Sequence, residues 1–169
     1  MKTIIALAFM ALATPAVAQS NFGDYWFQFT TKWKGESKCL DLIRSGSQRN
    51  KLRMKSCGRS TTQQWRLQTI GGGKYQLINR KLGNAMCVDI FNGGPSNNET
   101  EMRGCDNYTG QYWSFRKDGD WLRMTTRFRG PGMCLDLFNG GPKDLQPQLR
   151  ECADYTGQFW ARKAVARVK

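Results

Sequence analysis

The feature that most constrains this chain is a motif of two cysteines and a tryptophan that occurs three times at nearly constant spacing. The copies cover residues 39–65, 87–113 and 134–160, and their starts are 48 and 47 residues apart. In each copy the second cysteine follows the first by 18 positions. Between residues 86–113 and 133–160, 15 of 28 aligned residues are identical. A period of this size indicates a duplicated structural unit, so we expect three equivalent parts, called repeats one, two and three.

The six cysteines are predicted to form one disulfide within each repeat, because equivalent units should close equivalent loops. The predicted pairs are Cys39 with Cys57, Cys87 with Cys105, and Cys134 with Cys152. In the chain-entropy model each loop contributes about 3 kcal/mol. Zinc is the alternative for paired cysteines, but partners 18 positions apart in a chain without histidine do not match common zinc sites. We therefore predict neither a metal site nor a cofactor.

The amino terminus has the composition of a secretory signal. Lys2 precedes an apolar run over residues 4–12, and a small-residue cleavage site follows at residues 16–18. A membrane anchor is disfavoured because the run is well short of the roughly 20 residues that a spanning helix needs. We predict a signal peptide over residues 1–18 and one domain over residues 19–169 that has no membrane span. Paired cysteines suit an oxidising compartment, so the predicted location is secreted or periplasmic.

Segments rich in aromatic and branched residues precede the first cysteine of each repeat. They cover residues 26–31, 75–78 and 121–126, and their partial alternation favours strands. Turn signals separate them, including a glycine four positions before each first cysteine. No segment is typical of a helix of ordinary length. Regularly spaced short strands predict an all-β sandwich or barrel. The repeat units are approximately residues 24–70, 71–118 and 119–165.

The segment before each second cysteine predicts a strand with one buried face. Neighbouring side chains on a strand point to opposite sides, so an apolar residue between polar ones should point inward. The residues predicted to be buried are Met54, Met102 and Leu149. Those predicted to face solvent are Arg53, Lys55, Glu101, Arg103, Gln148 and Arg150.

Each repeat combines Cys-(Leu/Val)-Asp, a second cysteine and a closing Gln-x-Trp, at residues 63–65, 111–113 and 158–160. This combination resembles the ricin B-chain-type lectin repeat, and the resemblance covers nearly the whole predicted mature chain. It implies a β-trefoil, in which three four-stranded units surround a pseudo-threefold axis. It also implies a carbohydrate-binding module whose partners are glycans or glycoconjugates, and the predicted signal peptide makes this an exported module. The closing tryptophans are interpreted as core residues rather than ligands.

The resemblance also implies where sugar would bind. The family's sugar-binding aspartate matches Asp41, Asp89 and Asp136. Its glutamine four positions before the second cysteine is present only as Gln148. The family's stacking ring and its asparagine near the tryptophan have no match, because Lys55, Arg103 and Arg150 replace the ring and Thr62, Gly110 and Gly157 replace the asparagine. Repeats two and three offer substitute rings and amides for a sugar, namely Phe91, Asn92, Asn107, Tyr108, Phe138, Asn139 and Tyr155.

Positive charge is abundant, with 26 Lys and Arg against 13 Asp and Glu, which favours attraction to anionic polymers. Lys51, Arg53 and Lys55 alternate along a predicted strand of repeat one and should form an anionic-ligand site on one face. A solvated face that aids solubility is the alternative. Export argues against nucleic acid, so acidic glycans, lipopolysaccharide or anionic lipid head groups are the predicted targets.

Catalysis is not predicted. A chain without histidine cannot form a Ser/His/Asp arrangement. Two carboxylates can hydrolyse a glycosidic bond, but the repeated aspartates lie one per repeat, which suits separate binding sites. A second hypothesis from another class is an interaction or inhibitor module with degenerate sugar sites, which holds a protein or an anionic surface.

Overall fold

A computed structural model describes residues 22–169, which form twelve β-strands joined by turns, some of them 3₁₀, and contain no α-helix. The strands are β1 (Tyr25–Thr31), β2 (Lys38–Leu42), β3 (Leu52–Ser56), β4 (Trp65–Gly71), β5 (Lys74–Asn79), β6 (Met86–Ile90), β7 (Thr100–Gly104), β8 (Trp113–Asp118), β9 (Trp121–Thr126), β10 (Gly130–Leu137), β11 (Pro147–Glu151) and β12 (Trp160–Arg167). The three strands predicted before the first cysteines correspond to β1, β5 and β9. The predicted signal peptide lies outside the described residues.

Six of the strands close into a barrel. Around the ring β1 pairs with β4, β4 with β5, β5 with β8, β8 with β9, β9 with β12, and β12 with β1. The other six form the antiparallel hairpins β2–β3, β6–β7 and β10–β11, one in each repeat. A closed barrel has no exposed strand edges. This barrel with three hairpins confirms the predicted all-β class and the β-trefoil.

The three hairpins are joined to one another by equivalent backbone hydrogen bonds. The donor N–H and acceptor carbonyl pairs are Met54 with Leu145 at 2.8 Å, Met102 with Asn50 at 2.7 Å, and Leu149 with Asn98 at 2.8 Å. Each repeat therefore donates to one neighbour and accepts from the other, which is the relation expected around a pseudo-threefold axis. The donors are also the predicted inward residues, and all three are buried.

The closing tryptophans lie in the core, as predicted. Each is fully buried, and its indole N–H donates to the backbone carbonyl of the residue after the first cysteine of its own repeat. These pairs are Trp65 with Leu40, Trp113 with Val88, and Trp160 with Leu135, at 2.9, 3.0 and 2.8 Å. The bond satisfies the one polar group of a buried indole and connects the end of each repeat to its Cys-x-Asp strand.

All three predicted disulfides are present, and each closes the hairpin of its own repeat. No cysteine among residues 22–169 is free. That part of the chain contains no helix long and apolar enough to cross a bilayer. It also contains no group of three or more His, Cys, Asp or Glu residues placed to hold a metal ion.

A buried carboxylate joins the three hairpins electrostatically. Glu99 of repeat two is bound by Lys51 of repeat one at 2.7 Å, and by Lys143 of repeat three. Burial raises the pKa of Glu99, but hydrogen bonds from Lys143 and Lys51 outweigh burial and hold the pKa below its ordinary value. Glu99 therefore remains charged, and its negative charge offsets part of the positive charge of the two lysines.

Candidate functional site

The Cys-x-Asp aspartates of repeats two and three are buried and held in one orientation. Asp89 Oδ1 accepts from the backbone N–H of Ile90 at 2.7 Å, and Oδ2 accepts from the side-chain amide of Gln111 at 3.2 Å. Asp136 repeats both contacts, with Leu137 at 2.7 Å and Gln158 at 3.2 Å. A carboxylate oxygen has two acceptor positions, so each oxygen has one that these hydrogen bonds do not use.

The glutamines of the Gln-x-Trp motifs fix these aspartates. Gln111 is itself fully buried, donates to the Gly104 carbonyl and accepts from the Asp106 N–H, both at 2.9 Å. Gln158 makes the equivalent contacts with Glu151 and Ala153, also at 2.9 Å. The motif thus has two structural functions, a core tryptophan and an amide that orients the aspartate of the same repeat.

An exposed arginine and an exposed tyrosine accompany each aspartate. In repeat two, Arg103 Nη1 lies 3.9 Å from Asp89 Oδ2, and the guanidinium lies 5.7 Å from the ring centroid of Tyr108. In repeat three the equivalent distances, for Arg150 with Asp136 and Tyr155, are 3.9 and 5.3 Å. The tyrosines are 51% and 54% exposed. These rings are therefore available to a ligand beside a charged acceptor and a charged donor.

The two repeats differ at one polar position. Glu101 lies opposite Asp89 across β6–β7, where Gln148 lies opposite Asp136 across β10–β11. Burial raises the pKa of Glu101 above its ordinary value; Arg103 opposes this change and nearby Asp89 adds to it.

Glycine makes this arrangement possible. A Cβ atom at Gly110 would lie 2.2 Å from Asp89 Oδ1, and one at Gly157 would lie 2.3 Å from Asp136 Oδ1. The glycines that replace the family's asparagine therefore leave the space in which the two carboxylates lie. Repeat one has Thr62 at this position, and its aspartate is placed differently.

Asp41 of repeat one is buried, but its Oδ1 has no hydrogen-bond partner among the described residues. The glutamine of that repeat, Gln63, keeps the equivalent contacts with the Ser56 carbonyl and the Gly58 N–H, but it forms no hydrogen bond with Asp41 in the part of the chain that the structure describes. Ser60 stands at the position of the two exposed tyrosines. Repeat one therefore lacks the geometry shared by the other two.

In repeat two these groups border a pocket of about 230 Å³. Its polar lining includes Asp89, Asn92, Arg103 and Thr109, and its rings are Tyr108 and Phe128. Phe128 belongs to repeat three and was not selected from the sequence. The sequence does contain a signal for it. An aromatic residue lies two positions before the glycine that precedes the first cysteine in repeats one and three, and these residues are Trp33 and Phe128.

Other predicted sugar contacts lie elsewhere. Phe91 does not line the pocket, and its ring instead lies 5.2 Å from Lys51 Nζ. The ring of Phe138 lies 5.7 Å from Lys143 Nζ. The side chain of Asn107 accepts from the Tyr112 hydroxyl at 3.0 Å. Asn139 is exposed in the loop after β10, and Gln148 is half-buried opposite Asp136.

Of the three cations predicted to share one face in repeat one, only Arg53 and Lys55 are exposed and without an ion-pair partner among residues 22–169. Lys51 is bound to Glu99, and its side chain is only 16% exposed. Arg53 and Lys55 are exposed on β3, and neither forms an ion pair with another residue in the range 22–169. The alternation on β3 is as predicted, but contact with a neighbouring repeat removes Lys51 from the available charge.

Comparisons with known proteins agree with the architecture. A family model described as a ricin-type β-trefoil lectin domain-like unit matches residues 19–104 and 61–149. A comparison with curated protein sequences gives no match.

Solved structures share the fold at low sequence identity. The designed threefold-symmetric protein ThreeFoil is 20% identical with a TM-score of 0.67, covering 81% of this chain and 96% of its own. The C-half of the earthworm R-type lectin, solved with GalNAc, is 14% identical with a TM-score of 0.59, covering 83% and 99%. An exo-β-1,3-galactanase from Clostridium thermocellum is 23% identical with a TM-score of 0.67, and the match covers 83% of this chain but 30% of the galactanase.

Proposed function

The chain belongs to the family of ricin-type β-trefoil lectin-like domains, and on that premise we propose that it is an exported carbohydrate-binding module without catalytic activity. The proposed sugar sites are in repeats two and three. The observation that carries the proposal is the pair of equivalent groups in which a buried, oriented aspartate lies beside an exposed arginine and an exposed tyrosine.

These groups suit the hydroxyls of a sugar. A hydroxyl can donate to the free acceptor position of Asp89 or Asp136 while it or its neighbour accepts from the adjacent arginine. Hydrogen bonds to charged groups are stronger than neutral ones. The nearby tyrosine offers its apolar ring to the C–H surface of the sugar. The positive and negative groups of each site lie within 3.9 Å of each other, and in repeat two Arg103 also lies 3.6 Å from Glu101. Neither site therefore has an excess of positive charge, which favours a neutral ligand over an anionic one.

Replacing both exposed tyrosines, as Tyr108→Ala with Tyr155→Ala, should weaken neutral-sugar binding. Truncating an aromatic anchor costs about 2 kcal/mol, or roughly 30-fold in Kd. Both rings are exposed, so the melting temperature should hardly change. Titration with a panel of neutral monosaccharides that includes N-acetylgalactosamine measures the loss.

Ser60→Ala in repeat one is the matched control and should leave sugar binding intact. A protein that binds no neutral sugar in the panel or on a glycan array, yet binds a protein or an anionic surface, would favour the interaction or inhibitor module instead.

A second binding function is supported by the unequal charge of the repeats. Between its cysteines, repeat one contains five basic residues and a single acid, whereas repeats two and three each contain three acids. Arg53 and Lys55 are exposed two positions apart on a strand, which places them roughly 7 Å apart. We propose that this face holds the anionic groups of an acidic glycan, with lipopolysaccharide as the second polymer to test.

Replacing these two cations, as Arg53→Ser with Lys55→Ser, should reduce binding to a sulfated polysaccharide while neutral-sugar binding is kept. Binding of the wild type to that polymer should also fall steeply with added salt, because exposed charges are screened over about 8 Å at physiological ionic strength.

The matched control replaces Arg116 and Lys117, two exposed cations on β8, with serine. If both double variants lose anionic binding equally, the charge of the whole surface rather than repeat one is responsible and the site assignment fails. No loss in the Arg53 and Lys55 variant also contradicts it.

A further inference from the structure

Two aromatic residues contact the sugar sites of other repeats rather than their own. The backbone N–H of Phe128, in repeat three, donates to the Thr109 carbonyl of repeat two at 3.1 Å. The backbone N–H of Trp33, in repeat one, donates to the Thr156 carbonyl of repeat three, also at 3.1 Å. Thr109 and Thr156 are equivalent, and each directly follows the exposed tyrosine of its site. The backbones of the two residues are therefore attached at equivalent positions of two different sites.

We propose that each sugar site is completed by the repeat that follows it around the barrel. Phe128 supplies an apolar wall to the site of repeat two, and Trp33 supplies the same wall to the site of repeat three. This inference rests on the proposed carbohydrate-binding function and identifies a group that the sites take from outside their own repeats. Phe128 lines the same pocket as Asp89, Arg103 and Tyr108, which is the most direct support.

The third equivalent position supports the same assignment. Lys81 of repeat two occupies the equivalent position and carries no ring. It directly follows Arg80, whose backbone N–H donates to the Gln64 carbonyl of repeat one at 2.8 Å. The N–H of Lys81 donates to the side chain of Asn79 at 3.1 Å instead of to the neighbouring repeat. The ring is therefore missing next to the one site that also lacks the glycine and the tyrosine.

Whether a ring is present at this position depends on the state of the neighbouring site and not on that of the repeat that carries the residue. Repeat one has a degenerate site of its own but keeps Trp33, which lies at the intact site of repeat three. Repeat two has an intact site but carries Lys81, which lies at the degenerate site of repeat one. A ring needed only for packing within its own repeat would not be distributed in this way.

Both rings are held in place before a ligand arrives. Trp33 and Phe128 are half-buried and pack against the hydrophobic core. A cation also lies near each ring, with Lys34 Nζ 3.6 Å from the Trp33 centroid and the Arg129 guanidinium 4.2 Å from that of Phe128. A wall that is already ordered loses little side-chain entropy on binding.

The size of the pocket indicates the ligand. Its volume of about 230 Å³ is below the roughly 300–1,000 Å³ typical of pockets for drug-sized molecules. A pocket of this size suits a single sugar ring. Such a ring would place apolar C–H surface against Tyr108 and Phe128, while the rest of a glycan extends into solvent.

The test combines Phe128→Ala with a variant that inactivates one site at a time. Gly157→Ala places a methyl group against Asp136 and leaves only the site of repeat two, whereas Gly110→Ala leaves only that of repeat three. The probe is the neutral monosaccharide of the panel that binds most strongly. Phe128→Ala should lower affinity roughly tenfold in the Gly157→Ala background and leave it unchanged in the Gly110→Ala background. Trp33→Ala should show the reverse pattern.

Two further variants separate binding from folding. Phe128→Leu keeps apolar volume against the core but removes the ring, and should reproduce most of the loss. Leu82→Ala removes a comparable half-buried side chain of repeat two that packs on the core, and should leave affinity unchanged.

If the wild type binds no neutral monosaccharide, the proposed function itself fails. If both glycine variants bind sugar like the wild type, the protein binds sugar elsewhere, and the sites assigned to repeats two and three are wrong together with this inference. If the glycine variants lose one site each but Phe128→Ala has no effect, or acts on the site of its own repeat, only this inference is overturned.

Discussion

Reduction of the three disulfides should unfold this domain under conditions in which the oxidised protein is fully folded. Each disulfide closes a loop between cysteines 18 positions apart, which contributes about 3 kcal/mol in the chain-entropy model. Three such contributions are comparable to the whole free energy of unfolding of a typical domain, about 5 to 15 kcal/mol. Thermal unfolding followed by circular dichroism, with and without a reductant, measures the effect.

Removing one disulfide at a time gives the matched series. Replacing Cys39 and Cys57, Cys87 and Cys105, or Cys134 and Cys152 with alanine should cost similar free energies, because the three hairpins are equivalent. A reduced protein that melts within a few degrees of the oxidised one would show that the barrel core, and not the disulfides, supplies most of the stability.

Gly110→Ala together with Gly157→Ala should abolish sugar binding while the barrel remains folded. Each new Cβ would lie 2.2 or 2.3 Å from an aspartate oxygen. This distance is much shorter than a van der Waals contact, so the carboxylate must leave its position. The displaced aspartate loses its bonds to the neighbouring N–H and to the glutamine amide, which costs about 1 to 3 kcal/mol of stability per site. The loss of the oriented acceptor should weaken binding by about 100-fold or more.

The same monosaccharide titration, with a melting curve for each variant, measures both effects. Gly132→Ala is the control, because a Cβ there has no atom within 4 Å, so its binding and stability should match the wild type. Sugar binding that survives in the Gly110→Ala, Gly157→Ala protein would mean that Asp89 and Asp136 are structural residues and that the ligand lies elsewhere.

Repetition made most of the fold predictable from the sequence. The equivalence of the three repeats favoured one disulfide within each repeat, and the structure has those three pairs. The closing tryptophans followed from the same logic, since equivalent large apolar residues must share one core. Met54, Met102 and Leu149 were assigned to the inside by strand alternation, which depends only on local geometry.

Contacts between repeats were not predictable in the same way. The alternation of Lys51, Arg53 and Lys55 was correct, but nothing local indicates that Glu99 of the next repeat binds Lys51. Phe128 lies 20 positions after Tyr108 and in another repeat, so only the closed barrel brings the two rings to one pocket. Phe91 was considered as a substitute ring because it is near Asp89 in the sequence, but the chain after β6 carries it toward Lys51 instead.

The glycines show a structural role that the sequence comparison could not reveal. Gly110 and Gly157 were counted as losses of the family's asparagine, because a sequence comparison records only that a side chain is absent. In the structure, a side-chain oxygen of Asp89 or Asp136 occupies the space that a side chain at Gly110 or Gly157 would fill.

We propose that repeats two and three bind sugar and that repeat one does not. Calorimetric titration of the purified protein with its strongest-binding neutral monosaccharide tests this claim most directly, because it counts the sites. We expect two sugars per chain in the wild type, one after either Gly110→Ala or Gly157→Ala, and still two after Asp41→Asn. A protein that binds no neutral sugar, or one that binds three per chain and loses one with Asp41→Asn, would contradict it.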